Sequence, residues 1–353
     1  MALPRDPGLW VFKPERARLV GDERDVAARA GIDPDRPGTV RRSLASGIVA
    51  SALGGSLIPA ILPASSGSVS GTVSELVVGL QVDTMVWTEA WPDDPGAISF
   101  AAAWLRHGEP GEPAALVLAP EPLARLRRLG SRERRALGVR RVRGVHAVAR
   151  DLATMLPLGD AALARGLVAL EWLDALLGQI DRHNGNIVFV AGADGAVRRV
   201  AGIDQDLSFG ARLDGAYLRA IRPVPSDARP AGAIAAEVGL PVLADAALGR
   251  SLVAIDPSAL DRELAPLLTA AEREALASRL LVLRERLAEL DRRGRVLAAG
   301  EWSRPAVARL LASRPSYYSR LLLSLRLKDM LGEPLLEPGL VIRRLGLDLG
   351  PPI

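Results

Sequence analysis

The stretch that decides the fold is 162–210, ALARGLVALEWLDALLGQIDRHNGNIVFVAGADGAVRRVAGIDQDLSFG. Its first part, Ala162–Ile180, carries only three charged side chains, which predicts a helix in the centre of a core. A polar segment follows at 181–186. Two β-rich runs, Ile187–Val190 and Val197–Val200, then flank an Asp-Gly pair, a pattern typical of a β-hairpin. The stretch therefore predicts a buried helix, a polar loop and a hairpin, in that order.

The composition is that of an ordinary globular protein. The chain has 353 residues, enough to bury a full core and to form two lobes. Hydrophobic residues make up 49% of it and charged residues 24%. It has no cysteine, which excludes disulfides, thiolate metal ligands and a cysteine nucleophile.

The longest uncharged stretch lies between Arg42 and Glu75. Pro59, Pro63 and several glycines interrupt it, so it predicts a buried helix followed by turns and strands, and no transmembrane segment. Residues 1–13 contain no apolar run of signal-peptide length. The cytoplasm is therefore the expected location, with export as an effector left open.

The basic residues are almost all arginines, scattered along the chain apart from a cluster at 125–143. That cluster either binds phosphate groups or acidic lipid headgroups, or is the solvated face of a helix. A nucleic-acid partner is not expected.

The first third of the chain predicts a mixture of strands and helix. Residues 8–14 alternate so that Trp10 and Phe12 share one face of a strand, with Lys13 on the other. Thr39–Leu53 has apolar residues near helical spacing and ends before two glycines.

Further along, 69–87 contains two β-rich runs, whereas the pattern from 146 onward is largely helical. The fold class predicted is α+β. We expect a small β-rich unit at 1–110 and a larger, mostly helical unit at 111–353.

Residue types that are rare in this chain cluster near the polar loop. The chain has only two asparagines, Asn184 and Asn186, and only two lysines, Lys13 and Lys328. A chain so rich in arginine keeps an asparagine or a lysine most readily where arginine or aspartate cannot replace it. Lys13, Asn184 and Asn186 are therefore candidates for a functional site.

The spacing of the polar loop indicates phosphoryl transfer. Asp181 and Asn186 are five residues apart, the step of the kinase catalytic loop, in which an asparagine oxygen and a later aspartate hold Mg²⁺. The hairpin returns the chain so that Asp204 can meet Asn186 on one ion. Oxygen-only donors suit Mg²⁺. Asp206 is either a second metal contact or a solvated loop acid.

These residues resemble a known family. Asp181–Asn186 with 202–204 (GID) is similar to the phosphatidylinositol 3/4-kinase-like branch of the protein-kinase fold. The segment 10–14 (WVFKP) resembles the phosphate-gripping strand of type II phosphatidylinositol 4-kinases and their bacterial relatives, and 239–264 resembles the helical part of those relatives. The resemblance implies a bilobal protein-kinase-like fold that uses ATP and Mg²⁺.

The resemblance also implies a role for each matching residue. Asp181 would be the catalytic base, and Asn186 and Asp204 would be metal ligands. Lys13 would bind the ATP phosphates, and His183 would lie near the transferred phosphate.

Three further features are less regular. Gln81 resembles the interlobe strand that borders adenine, although an ordinary strand residue has the same pattern. Only twelve residues precede Lys13, too few for the hairpin that would carry a phosphate-covering glycine loop. The helix expected to supply an acidic partner for Lys13 has Ser43 at that place. Glu23 is therefore the predicted partner, with Glu15 and Glu75 as alternatives.

The function predicted is ATP- and Mg²⁺-dependent phosphotransfer, with a protein hydroxyl favoured over a phosphoinositide as acceptor. Acceptor recognition is expected in 211–239, where Arg219, Arg222 and Arg229 keep a phosphoinositide headgroup possible. Two alternatives stay open. One is a catalytically inactive nucleotide-binding or scaffold module, and the other is transfer of AMP to a protein.

Overall fold

The computed structural model describes residues 10–77, 80–81, 139–143, 145–148, 160–191, 197–221 and 239–324. Over those residues the fold class is α+β, as predicted, with nine α-helices and four small sheets. The strands are β1 Trp10–Pro14, β2 Ile61–Ser66, β3 Val69–Glu75, β4 Leu80–Gln81, β5 Val139–Arg143, β6 Val145–Val148, β7 Ile187–Ala191, β8 Val197–Gly202, β9 Ala244–Asp245 and β10 Val296–Leu297. The helices are α1 Asp22–Ala30, α2 Thr39–Ala52, α3 Ala161–Leu177, α4 Gly215–Ala220, α5 Ala246–Ala254, α6 Pro257–Leu264, α7 Ala270–Arg292, α8 Pro305–Ser313 and α9 Tyr317–Ser324.

The first sheet is antiparallel, with the order β1-β3-β2. β2 and β3 form a hairpin across a two-residue turn at Gly67, which has a φ of 59°. Lys13 on β1 lies opposite Thr72 on β3. A Cβ at Gly71 would collide with the Lys13 carbonyl oxygen, so glycine at this position lets the two strands approach. The predicted strand at 8–14 is confirmed as Trp10–Pro14.

The helix α3 is the centre of the core, as its sequence predicts. The Asp160 carboxylate caps its start by accepting a hydrogen bond from the Ala162 N–H at 2.7 Å. Trp172 is fully buried, and its indole N–H donates to the Leu243 carbonyl at 2.8 Å. The helix stops at Leu177, before the predicted end at Ile180, because Gly178 takes the left-handed conformation that ends a helix.

The predicted hairpin after the polar loop is present as β7 and β8, which pair antiparallel from Ile187 opposite Gly202. Its Asp-Gly turn lies outside the described residues. On its other side, β7 pairs with β4, where Gln81 lies opposite Val188. The hairpin packs on α3, since a Cβ at Gly166 would touch Val200 at 2.6 Å.

Two of the C-terminal helices begin with side-chain caps. Asp256 caps α6, and Thr269 with Glu272 forms a capping box at the start of α7. The buried Arg279 on α7 donates to the carbonyl oxygens of Leu176 at 2.8 Å and Leu177 at 3.2 Å, which stabilises the end of α3. One hydrophobic cluster joins α2, α3 and the C-terminal helices.

Two expectations need comment. The pattern from 146 onward and the cluster at 125–143 favoured helix, but β5 and β6 form a short antiparallel hairpin there. Valine recurs at every third position of 139–148, and its β-branched side chain favours a strand over a helix. The proposed boundary between 110 and 111 lies outside the described residues. None of the described helices combines the length and the apolar character needed to cross a bilayer.

Candidate active site

The polar loop that follows α3 is a compact turn held by its own backbone. The His183 N–H donates to the Asp181 carbonyl at 2.9 Å, and the Asn186 N–H donates to the His183 carbonyl at 3.0 Å. Asn184–Asn186 is a short 3-10 helix. The Gln179 side-chain oxygen accepts from the Asp181 N–H at 3.0 Å, which fixes the start of the loop.

The side chain of Arg182 holds this loop from below. It is fully buried and forms a double ion pair with Asp174 of α3, with N···O distances of 2.8 and 3.1 Å. It also donates to the Asn186 carbonyl at 2.8 Å and to the Ile203 carbonyl. The Gln205 side-chain oxygen accepts a further bond at 2.8 Å. One guanidinium therefore ties the polar loop to the segment that carries Asp204.

The helix α9, near the end of the described chain, completes this support. The Tyr317 hydroxyl donates to Asp174 at 2.8 Å. Arg320 donates to the Arg182 carbonyl at 2.6 Å, and its guanidinium lies 4.9 Å from the centre of the Tyr317 ring. The Tyr317 N–H donates to the buried carboxylate of Glu171, whose pKa burial raises to about 8.

The backbones of Asn186 and Asp204 lie close together. The Ile203 N–H donates to the Asn186 carbonyl at 3.0 Å, which places Asp204 one residue beyond a direct link to the loop. Gln179 fixes the other side by donating to the Asp204 carbonyl at 2.9 Å. Asp204 has a φ of 61°, unusual for a residue with a side chain, and such strain is common at functional sites.

The side chain of Asn186 is oriented for a ligand. It is almost fully buried, and its amide nitrogen donates to the Asp181 carbonyl at 2.9 Å. The amide oxygen of Asn186 is therefore directed away from that carbonyl. An oxygen positioned in this way is a suitable ligand for a hard cation.

Lys13 reaches the same place from the first sheet. Its ammonium group lies 2.6 Å from the Asp204 carboxylate, across a separation of 191 residues in the chain. Both side chains stay partly exposed, at 42% and 33%. This long-range pair brings the predicted ATP lysine to the predicted metal ligand.

The predicted pairing of Lys13 with Glu23 is wrong. Lys13 pairs with Asp204, and Glu23 accepts a hydrogen bond from Arg16. Glu15, one alternative, caps α2 by accepting from the Thr39 N–H at 2.8 Å. Glu75, the other alternative, lies at the far end of β3, opposite Trp10. The carboxylate that pairs with Lys13 comes instead from Asp204, in the segment after the hairpin.

Asp206 lies beside Asp204, and the two carboxylates share a hydrogen bond. Burial and then the negative charge of Asp204 raise the pKa of Asp206 to about 7. Burial acts on Asp204 in the same direction, but the charge and hydrogen bond of Lys13 outweigh it and hold the pKa of Asp204 below its usual value. The two carboxylates repel each other, and a bound proton or a bound cation would relieve this repulsion.

Asp181 begins the polar loop and is partly buried. Burial, together with the charges of Asp204 and Glu23, raises its pKa above the usual value, while His183 acts in the opposite direction. A carboxylate with a raised pKa accepts a proton more readily near neutral pH. Glu23 thus contributes to the field of the site although it does not contact Lys13.

The two remaining candidates are placed less closely. His183 is exposed, and its imidazole Nδ1 accepts from the Gly185 N–H at 3.1 Å. Gln81 is on β4, and only its backbone position is described. The strand β4 pairs with β7, the first strand of the hairpin that leads to Asp204. His183 therefore lies on the loop at its solvent side, and the role of Gln81 stays a prediction.

The helix α2 contacts the segment after Asp204 through a buried cation, which lies next to Ser43, where the resemblance predicts an acid. Arg42, buried on α2, donates to the Pro37 carbonyl at 2.7 Å and also to the Ser208 carbonyl and the Glu272 carboxylate. Burial lowers the pKa of Arg42 to about 10. The sequence does not distinguish Arg42 from the many other arginines of the chain, so its burial could not be predicted.

The helix α1 packs against the segment 207–212, which follows Asp204. The Arg212 N–H donates to the Ala30 carbonyl at 3.0 Å, and a Cβ at Gly210 would collide with that carbonyl. Leu19 and Ile32 pack with Leu207 in a second hydrophobic cluster. The sequence gives little sign of this packing, because α1 is polar overall and buries little beyond its alanines.

The donor set fits a magnesium ion bound with nucleotide. It consists of the Asn186 amide oxygen and the carboxylates of Asp204 and Asp206, all hard oxygen donors. In the part of the chain that the structure describes, no three histidine, cysteine or acidic side chains form a metal-binding group. Mg²⁺ is commonly held by one or two carboxylates plus substrate phosphates, so a smaller protein donor set is sufficient for it.

No family model matches this sequence, and a search of curated proteins finds none that is significantly similar to it.

Proposed function

We propose that this protein is an ATP- and Mg²⁺-dependent phosphotransferase with a bilobal protein-kinase-like fold. The observation that carries the proposal is the convergence of Lys13 with Asp204 at 2.6 Å, beside a loop that holds Asp181 and Asn186 five residues apart. Phosphoryl transfer depends mainly on positioning and on neutralising charge, and these residues supply both.

Each residue would have a distinct task. Asn186 and Asp204, with Asp206 beside them, would hold Mg²⁺, which neutralises charge on the phosphates when it is bound. Lys13 would exchange its contact with Asp204 for the phosphates of ATP. Asp181 would orient the acceptor hydroxyl and accept its proton, a role that suits its raised pKa.

The acceptor is proposed to be a protein hydroxyl. Of the arginines that kept a phosphoinositide headgroup possible, Arg219 forms an ion pair with Glu285 on α7 at 2.6 Å. An arginine already paired on the surface is less available for a headgroup. Arg222 and Arg229 lie outside the described residues.

The test is a label-transfer assay with Mg²⁺ and either γ-labelled or α-labelled ATP. Wild type is expected to transfer the γ-label to itself or to a protein acceptor such as casein. Asp204→Ala is expected to lose this transfer, because it removes a metal ligand. Arg304→Gln, which removes an exposed ion pair with Glu301, is a control outside the site and should keep it.

Other outcomes would identify the alternatives. Transfer of the α-label alone would mean that AMP, and not phosphate, is moved. Transfer of the γ-label that survives Asp204→Ala would contradict the metal assignment. If wild type transfers no label and MgATP also fails to raise its unfolding temperature, the scaffold alternative would replace the enzyme, because a bound ligand must stabilise the fold.

A further inference from the structure

Arg16 lies three residues beyond Lys13, at a position where its backbone is fixed. Its N–H donates to the Thr39 hydroxyl at 3.1 Å. The preceding residue, Glu15, accepts from the N–H groups of Thr39 at 2.8 Å and Val40 at 3.0 Å, and so caps α2. Because α2 anchors this backbone, only the side chain of Arg16 is free to change its contacts.

That side chain forms an ion pair with Glu23 on α1. The pair is partly exposed, with 34% of the Arg16 side chain and 42% of the Glu23 side chain accessible. Glu23 itself is held in place, because Ala30 at the end of the same helix accepts a hydrogen bond from the Arg212 N–H. The pair therefore bridges the lysine strand and the edge of the candidate site.

The charges around this pair are strongly negative. Asp204 and Asp206 both act on Arg16 and favour its charged form. Glu23 in turn acts on Asp181. Arg182 is close to Asp204 but is buried and already bound to Asp174. Among the described residues that face these acids, Lys13 and Arg16 are the partly exposed cations.

Exchange of partners by Arg16 would cost little. A partly exposed ion pair contributes about 0–1 kcal/mol, whereas the guanidinium fork binds phosphate oxygens in a strong bidentate arrangement. A nucleoside triphosphate adds several negative charges next to carboxylates, and one lysine balances only part of them. Arg16 is the other partly exposed cation on which these carboxylates act.

We propose that Arg16 is a second phosphate-binding residue of this site, and that Glu23 occupies its guanidinium until a nucleoside triphosphate replaces it. Arg16 would then supply, from the segment after β1, part of the charge neutralisation that a glycine loop supplies through backbone N–H groups. This assignment rests on the proposed function, since it requires that ATP binds beside Lys13.

The test is calorimetric titration of the full chain with MgATP and, separately, with adenosine. Arg16→Gln is expected to weaken MgATP binding about tenfold or more, because a hydrogen-bonded charged contact is lost. Its affinity for adenosine should stay unchanged. Glu23→Gln is expected to tighten MgATP binding about two- to fivefold, because it removes the competing partner.

The control is Arg24→Gln, on the helix α1 that also carries Glu23. It removes an exposed double contact with Asp35, at 2.7 and 2.9 Å. It should bind MgATP as the wild type does. Arg16→Lys, which keeps the charge but not the fork, should fall between wild type and Arg16→Gln, and it serves if Arg16→Gln does not fold. Thermal unfolding of each variant shows whether it folds.

The two proposals fail in different ways. A wild type that binds no MgATP would overturn the proposed function, and the role of Arg16 with it. A wild type that binds MgATP, with both Arg16→Gln and Glu23→Gln unchanged, would overturn the role of Arg16 alone. The same conclusion follows if both variants are weaker, because a merely structural bridge predicts the same sign for both.

Discussion

Two ion pairs meet at the candidate site, and they differ in burial. Below the polar loop, Arg182 and Asp174 are 0% and 1% exposed. On the open side, Lys13 and Asp204 are 42% and 33% exposed. The pair of Arg182 and Asp174 belongs to a network in which each group has several partners, whereas the pair of Lys13 and Asp204 faces solvent.

The difference separates support from binding. Buried charges without partners cost several kcal/mol, so Arg182 cannot release Asp174 or the two carbonyls that it holds without a large penalty. Exposed charges exchange partners cheaply, so Lys13 can leave Asp204 for a ligand. A site built in this way keeps its loop rigid while its open face adapts.

The largest effect is expected from breaking the pair of Arg182 and Asp174. Asp174→Ala leaves the buried Arg182 without its carboxylate and the Tyr317 hydroxyl without its acceptor. We expect the free energy of unfolding to fall by about 3–5 kcal/mol, measured by urea denaturation.

The matched control is Glu285→Ala, which breaks the exposed pair with Arg219 and should cost less than about 1 kcal/mol. If Asp174→Ala costs no more than Glu285→Ala, the buried network does not support the loop, and the comparison between the two pairs fails.

A smaller effect is expected from the acid pair on the open side. The pKa of Asp206 is about 7 in the folded protein and near its ordinary value of 3.8 in the unfolded chain. Between these values the folded state holds a proton that the unfolded state lacks, so stability decreases as pH rises from about 4 to 7. The decrease attributable to Asp206 is up to about 1.4 kcal/mol per pH unit.

Asp206→Asn should remove this dependence. The measurement is urea denaturation of both proteins at pH 5, 6, 7 and 8, and the difference between them isolates Asp206 from Asp181, whose raised pKa acts in the same direction in both. Asp204 contributes outside this window, because its lowered pKa gives stability that is lost only at lower pH. Parallel pH curves for the two proteins would contradict the proposed proton between Asp204 and Asp206.

The sequence predicts those parts of the molecule whose signals are local. The apolar run of α3, the five-residue step from Asp181 to Asn186 and the hairpin that leads to Asp204 all follow from neighbouring residues. Even the early end of α3 had a local signal in Gly178, although the apolar Ile180 beyond it favoured a longer helix.

The supporting contacts could not be predicted because they join distant parts of the chain. Tyr317 and Asp174 are 143 residues apart, and Lys13 and Asp204 are 191 apart. Arg182 lies inside the recognised motif, but in a chain with so many arginines nothing marked it as buried. The docking of α1 was hidden because its buried face is made mostly of alanine.

The most direct test of the central claim is a crystal structure with Mg²⁺ and a non-hydrolysable ATP analogue. The account predicts a metal ion with oxygens of Asn186 and Asp204 at about 2.0–2.1 Å. It also predicts that Lys13 has moved from Asp204 to the phosphates, with the pair of Arg182 and Asp174 unchanged. A nucleotide bound away from Lys13, or a metal ion that avoids both Asn186 and Asp204, would contradict it.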